Sequence, residues 1–345
     1  MPNDEINYHN IKKVMDKISP VRKTYPQDWE NYNLAKTKEK TISLQLLLEL
    51  LDNIKEDKKS AGRPSFSLKE QVLCMFTYCY CGFSGRRAIS DLESLKERKL
   101  ISRTPHFNTI FNMFKELKMM KLLSELVEIT SMPLRMFEEN FVIDSTGFST
   151  SNFERWFNIR TQSETKKRSW MKVHLICGAR TNIITSIAVT NGTVADCPQL
   201  IPLVENTSKR FDMKELSADK AYLSRQNMIA IASVGAIPFI PFKSNSTRKS
   251  KGTGIWRQMW LFFTEHQEEF MQRYHKRSNV ETTFSMVKRC YGNHLRMRTE
   301  TSQINEVLMK CLCHNLSVLV QESFELGLNI DLKNCAETYF AQEHN

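Results

Sequence analysis

Between Asn140 and Ile240 the hydrophobic period changes repeatedly, and the order of those changes restricts the fold more than any other feature of the chain. Asn140-Phe-Val-Ile-Asp144-Ser-Thr-Gly147 is a short apolar run ending in a carboxylate and a turn, the pattern of a buried strand. Residues 170–177 alternate with period two. Residues 183–189 follow the turn Ala179-Arg-Thr-Asn182, which predicts a hairpin. A helix is expected from Asp196 to about Lys209, and a strand over 214–219 that again ends in a carboxylate, Asp219. A helix over 224–233 and a buried strand over 236–240 follow. Three strands and then alternating helices and strands describe an α/β chain: a mixed sheet with helices on its faces.

Before this region the periodicity is helical. Residues 1–40, with Pro20 and Pro26, read as an arm with short helical pieces, and 42–54 as a compact apolar helix. A charged run from Lys55 to Lys59 leads to Gly62-Arg-Pro64, a helix stop. Ser67-Leu-Lys-Glu70 has the spacing of a capping box ahead of 72–80. Ser84 is placed to cap 85–92, and Thr104-Pro105 to start a helix over 106–117. Short helices with tight turns suit a helix-turn-helix-like bundle in which Arg63, Arg86, Arg87 and Arg103 are candidate phosphate contacts. A purely structural bundle remains the alternative. The expected division is an arm and helix over 1–60, a helical DNA-binding domain over 61–135, a catalytic domain over 136–327 and a tail over 328–345.

Lys plus Arg total 49 against 38 for Asp plus Glu, a net charge of +11. That balance favours a polyanion as partner, although it also serves solubility. No apolar run has the length of a membrane span and the N-terminal residues are polar, so a cytosolic protein without membrane association is expected. The nine cysteines include no Cys-x-x-Cys pair and read as reduced thiols. Cys311-Leu-Cys313-His314 lies in a helical segment where positions two apart diverge, which favours buried thiols over zinc.

After the sheet region comes a small, polar, basic loop over 242–254, with Lys243, Arg248, Lys249 and Lys251 as a possible clamp on DNA or simply a solvated loop. Helices are expected over 256–272, 274–292 and 304–321. Trp256 and Trp260 favour core packing over stacking on a base, and Lys172 and His174 share one strand face. On the helix over 274–292, Tyr274, Arg277, Glu281 and Lys288 are offset by three, four and seven, which keeps them on one face, while Val280, Phe284 and Val287 form an apolar stripe. Spacing alone leaves two readings open: a solvated face with an Arg277–Glu281 salt bridge, or a metal-binding carboxylate beneath a polyanion. Asp144 and Asp219 stand at strand ends that such a fold makes neighbours. With Glu281 they would form three carboxylates that repel one another unless a cation intervenes. Hard oxygen ligands suit Mg²⁺ or Mn²⁺. Individually, Asp144 and Asp219 could cap turns, and Asp196 reads first as a helix N-cap.

The stretch Tyr274-x2-Arg277-x3-Glu281-x6-Lys288 resembles the Tyr-Arg-Glu-Lys signature of DDE transposases of the IS4/IS5 type. Val142-Ile-Asp144-Ser-Thr-Gly147 resembles their first Asp motif and Ser217-Ala-Asp219-Lys-Ala-Tyr222 their second. Gly62-Arg-Pro64, Ser84-Gly-Arg-Arg87, Pro105-His-Phe-Asn-Thr109 and Trp29-Glu-Asn-Tyr-Asn33 resemble their N-terminal region. The resemblance implies a ribonuclease-H-like core, with Asp144, Asp219 and Glu281 as the catalytic triad holding two Mg²⁺ or Mn²⁺ ions. It implies cleavage at element ends and strand transfer into target DNA. Tyr274, Arg277 and Lys288, with Arg289 beside them, would contact phosphates. Double-stranded DNA is the implied partner, a homodimer the expected synaptic form, and the prokaryotic cytoplasm and nucleoid the expected place. A structure-specific nuclease or an inactive DNA-binding derivative are the alternatives. Where relatives often read His-Asp-Ser, this chain reads Ala195-Asp196-Cys197, and the span from Asp219 to Glu281 is short for the β-rich insertion of some relatives.

Overall fold

The computed structural model describes residues 28–55, 65–150, 170–249 and 254–343. The expectations for Pro20, Pro26, Gly62-Arg-Pro64 and Lys251 lie outside these residues. In chain order the helices before the sheet are α1 (Trp29–Leu51), α2 (Leu68–Cys81), α3 (Ile89–Glu97), α4 (Phe107–Met113) and α5 (Leu117–Ser131). Then follow β1 (Asn140–Ser149), β2 (Trp170–Gly178), β3 (Ile184–Asn191), α6 (Leu200–Ser208), β4 (Glu215–Ala218), α7 (Arg225–Ser233) and β5 (Ile237–Phe239). The last elements are α8 (Gly254–Glu265), α9 (Gln267–Tyr274), α10 (Ser278–Tyr291), α11 (Glu300–Glu325) and α12 (Leu332–Glu343).

Among the described residues the sheet has five strands in the order β3-β2-β1-β4-β5. β1 runs antiparallel to β2 and parallel to β4, and β4 runs parallel to β5. The β2–β3 hairpin turns at Asn182, whose φ of 64° is a left-handed conformation that asparagine tolerates. This mixed sheet flanked by helices is the arrangement expected of a ribonuclease-H-like core. The last β1–β4 pair is Ile143 with Ala218. Asp144 and Asp219 are therefore the first residues past the parallel ladder on adjacent strands. β1 does not end there, contrary to the reading of Asp144 as a strand end. It continues to Ser149 because β2 goes on pairing with it as far as Trp170.

The two faces of the sheet are covered differently. Val142, Phe148, Val173 and Leu175 join one buried cluster with α1–α5, α10 and α11, whereas Phe141, Ile143 and Ile176 join another with α6–α9. Helix α11 is buried at every position from Asn305 to Val320, where the expected pattern was one apolar face. It lies between the sheet and the N-terminal helices, so its polar residues need internal partners. Asn315 supplies one set: its Oδ1 accepts from Ile184 N at 2.9 Å and its Nδ2 donates to Ile184 O at 2.8 Å and Val127 O at 3.0 Å. His314 pairs with Asn182 O at 2.9 Å, and Cys311 and Cys313 are buried.

Several boundaries differ from expectation for local reasons. α1 starts at Trp29, within the stretch read as an arm, because Asp28 caps it through Asn31 N at 3.1 Å. The Ser67–Glu70 capping box forms as its spacing predicts. Ser84 caps nothing with its side chain; a turn fills 85–88 and α3 begins after Ala88. The expected helix over 106–117 stops at Met113, and α5, which periodicity did not reveal, follows. The helix expected over 274–292 is interrupted: α9 ends at Tyr274, a 3₁₀ turn occupies His275–Arg277, and α10 starts at Ser278. Beyond Gly327, where a tail was expected, α12 packs Leu332, Ala336 and Tyr339 into the core.

Candidate active site

The site is built where β1, β4 and the α9–α10 junction meet. Asp144 sits on the face of β1 that α10 covers, as does Thr146 two residues on. Its Oδ1 accepts from Ser145 N at 2.8 Å, and its Oδ2 accepts from Arg277 Nη1. Arg277 Nη2 donates to Glu281 Oε1 at 3.0 Å. One guanidinium thus spans carboxylates from β1 and α10. The Arg277–Glu281 bridge anticipated from spacing does form, as half of a three-residue link to Asp144. Asp219 caps the 3₁₀ turn Lys220–Tyr222 by accepting from Lys220 N.

Burial holds the Asp144 carboxyl above its usual range, and the negative charge of Asp219 adds to this while the Ser145 N–H and Arg277 oppose it. Burial acts against protonation of Arg277, but Asp144, Tyr274 and Asp219 outweigh it and raise the guanidinium pKa. Burial also raises the Tyr274 phenol, with Arg277 opposing and Asp219 and Asp144 adding. Lys288 Nζ donates to Thr146 Oγ1 at 2.6 Å and lies 5.3 Å from the centre of the Phe148 ring; burial lowers its pKa.

The backbone carrying Tyr274 and Arg277 is tied to the strand that leads to Asp219. Glu215, at the start of β4, is 1 % exposed and accepts from Arg273 Nη1 and Lys276 Nζ, each at 2.5 Å. The sequence reading missed this anchor, though a glutamate inside an apolar strand signals a buried cationic partner.

Of the predicted site residues, Arg277 links Asp144 and Glu281 with Tyr274 beside it, Asp219 bears on Asp144 through its charge, and Lys288 reaches β1 two residues on, at Thr146. The Glu281 side chain remains 63 % exposed and turned to Arg277. Among the described residues no three His, Cys, Asp or Glu side chains gather closely enough to hold one ion. The donor chemistry nevertheless suits a hard divalent cation: the negative charge of Asp219 bears on Asp144, and a third carboxylate, Glu281, is joined to Asp144 through the positive charge of Arg277. Arg289 is exposed on α10, and Lys243, Arg248 and Lys249 are exposed on their loop. That loop is held from behind: Arg225 Nη2 donates to Lys249 O at 3.0 Å and stacks 4.3 Å from the Trp256 ring, whose Nε1 donates to Thr247 O at 3.0 Å. Trp256 and Trp260 both pack into the α6–α9 cluster. Arg86, Arg87 and Arg103 lie over Phe107, Phe83 and Phe66, at 4.6, 4.8 and 4.8 Å from the ring centres.

On the opposite face of β1, behind Asp144, lies a polar group that the sequence reading only half identified. Asp196 stands at the N-cap position of the 3₁₀ turn Cys197–Gln199 but makes no side-chain cap. Its carboxylate instead meets Lys172 Nζ at 2.8 Å and His174 Nδ1 at 3.2 Å. His174 is fully buried, with Nε2 3.0 Å from Thr190 Oγ1, so it has no surface to offer DNA. The shared face of Lys172 and His174 was legible from strand alternation; the third member, on a loop after β3, was not.

No solved structure matches the chain. The profile of the transposase DDE domain matches residues 135–316, from the turn before β1 into α11. That span is more than half of the 345 residues and contains Asp144, Asp219 and Glu281. The chain belongs to the transposase DDE domain family.

Proposed function

We propose that this protein is a DNA transposase that binds the terminal inverted repeats of its own insertion sequence, cleaves there and joins the freed 3′-hydroxyl to target DNA. The observation that carries this reading is the adjacency of Asp144 and Asp219 beyond the last β1–β4 pair, with Arg277 and Lys288 brought over them from the α9–α10 segment. Asp144, Asp219 and Glu281 would hold Mg²⁺ or Mn²⁺. When bound, two such ions activate the attacking water or hydroxyl and stabilise the leaving oxygen of a phosphodiester.

The remaining roles belong to the protein. Arg277 presents a planar fork to phosphate oxygens, and Lys288 a point charge about three turns further along α10. Tyr274 packs beside them and limits how the strand can lie. Glu215, through Arg273 and Lys276, keeps these groups in register with Asp219. Lys243, Arg248, Lys249 and Arg289 supply further phosphate contacts, and two copies of the chain hold the two ends on the nucleoid.

The test is Mg²⁺-dependent cleavage of a duplex carrying the repeats that flank the gene. Asp144→Asn, Asp219→Asn and Glu281→Gln should each abolish cleavage while retaining end binding. Undiminished cutting by Glu281→Gln would remove Glu281 from the triad. Nicking without joining to target would mean a nuclease instead.

A further inference from the structure

Arg277 faces two kinds of anion. In the free protein its fork is occupied by Asp144 and Glu281, carboxylates that reach it from β1 and α10. Under the proposed function it also binds a DNA phosphate, and the same carboxylates hold metal. These demands conflict. The Asp144 oxygen facing Arg277 is its Oδ2; Oδ1 is already taken by Ser145 N. A divalent cation coming to that oxygen would stand within a few ångströms of the guanidinium, with like charges repelling across a half-buried site. The metal and Arg277 in its present position therefore oppose one another.

The local backbone allows the side chain to leave without disturbing the core. Arg277 ends the 3₁₀ turn His275–Arg277 between α9 and α10, and its side chain is 18 % exposed. On either side of Tyr274, Arg273 and Lys276 fix the main chain to buried Glu215. The anchored turn and the arginine at its end form a pivot.

We infer that Arg277 is an internal counter-ion that competes with the divalent cation for Asp144 and Glu281, and that a DNA phosphate releases it. Metal and DNA then bind cooperatively, and the metal-loaded site is disfavoured away from DNA. A phosphate that draws Arg277 off the carboxylates raises metal affinity, and by linkage metal raises affinity for DNA by the same factor. This inference rests on the proposed metal site.

The experiment is a Mn²⁺ titration followed by electron paramagnetic resonance on the full-length protein, with and without a duplex carrying the element ends. Without DNA, Arg277→Gln should bind Mn²⁺ about tenfold more tightly than wild type. Adding the duplex should tighten wild type more than the variant. Arg277→Lys retains charge for folding but cannot span both carboxylates, and should fall between them. Mn²⁺ affinity in the variants equal to or weaker than wild type overturns the inference. So does a wild-type affinity that the duplex leaves unchanged, a measurement that needs no variant to fold. Asp144→Asn and Asp219→Asn separate the two levels. If they bind Mn²⁺ as wild type does, the metal site is wrong and the inference falls with it. If they lose Mn²⁺ while Arg277→Gln gains nothing, the site stands and only the counter-ion role is refuted.

Discussion

Glu215 and Arg273 form an ion pair at 2.5 Å with the Glu215 side chain 1 % exposed, at the point where β4 meets the α9–α10 segment. A buried anion between two cations is a register device: slipping the segment by one residue would leave charges unpaired in the interior. Glu215→Gln should therefore destabilise the protein by about 3 kcal/mol, read from urea denaturation, since it strands Arg273 and Lys276. Lys276→Met should cost less than Arg273→Met, because Lys276 is the more exposed partner. A Glu215→Gln midpoint indistinguishable from wild type would show that the pair has no anchoring role.

Glu138 offers a pH test. It accepts from Thr181 N at 2.5 Å, Thr181 Oγ1 at 2.8 Å and Arg180 N at 3.1 Å, which secures the β2–β3 turn. Burial nevertheless pushes its pKa from 4.5 up to about 7. The folded form then holds a proton that the unfolded form has lost between these two values. Stability from this group falls as pH rises through that window and levels off above it. Glu138→Gln, which cannot ionise, should gain on wild type between about pH 5 and pH 8, by up to about 3 kcal/mol. Parallel stability–pH curves for the two proteins would contradict the assignment.

The Asp196–His174 contact can be read by nuclear magnetic resonance. Burial lowers the His174 pKa, Asp196 partly restores it, and Lys172 lowers it further. Asp196→Asn should shift the His174 titration midpoint lower still. An unchanged midpoint would mean that the two side chains are not in contact in solution.

Lys288 has a structural partner in Thr146 and, as proposed, a phosphate partner. Thr146→Val removes the first and keeps the charge; Lys288→Ala removes both. End-binding affinity should fall only in Lys288→Ala, and the slope of log affinity against log salt should diminish by about 1. Equal losses in both variants would favour a purely structural lysine.

The loop with Lys243, Arg248 and Lys249 is seated on Trp256 through Thr247 and Arg225. Trp256→Ala should expose it to trypsin, visible as faster cleavage at 243–249 in limited proteolysis. Resistance equal to wild type would show that the stack does not hold the loop.

The sheet was legible because its strands carry short apolar runs bounded by turn residues, a signal that depends on neighbours in sequence. The hairpin at Asn182 and the carboxylates Asp144 and Asp219 came from such local patterns, as did the Ser67–Glu70 cap. Less legible were the interruptions. Helical spacing treats 274–288 as one cylinder, so it aligned Tyr274, Arg277, Glu281 and Lys288 correctly in kind but missed the 3₁₀ turn that re-aims Arg277. The break between α4 and α5 escaped for the same reason, since apolar residues continue across it.

By itself the sequence determined the order of strands and helices in the sheet region, the α/β class and the residue types available for chemistry near β1 and β4. Only the tertiary structure decided their partners. Arg277 lies 133 positions from Asp144, and Lys288 lies 142 from Thr146. Asp196 gave up a local cap because the fold set the Lys172 ammonium and the His174 ring beside it. Local spacing reports what a residue's near neighbours allow. Which distant charge it meets depends on how the sheet and its covering helices bury both, since an unpaired charge in the interior costs more than any local cap returns.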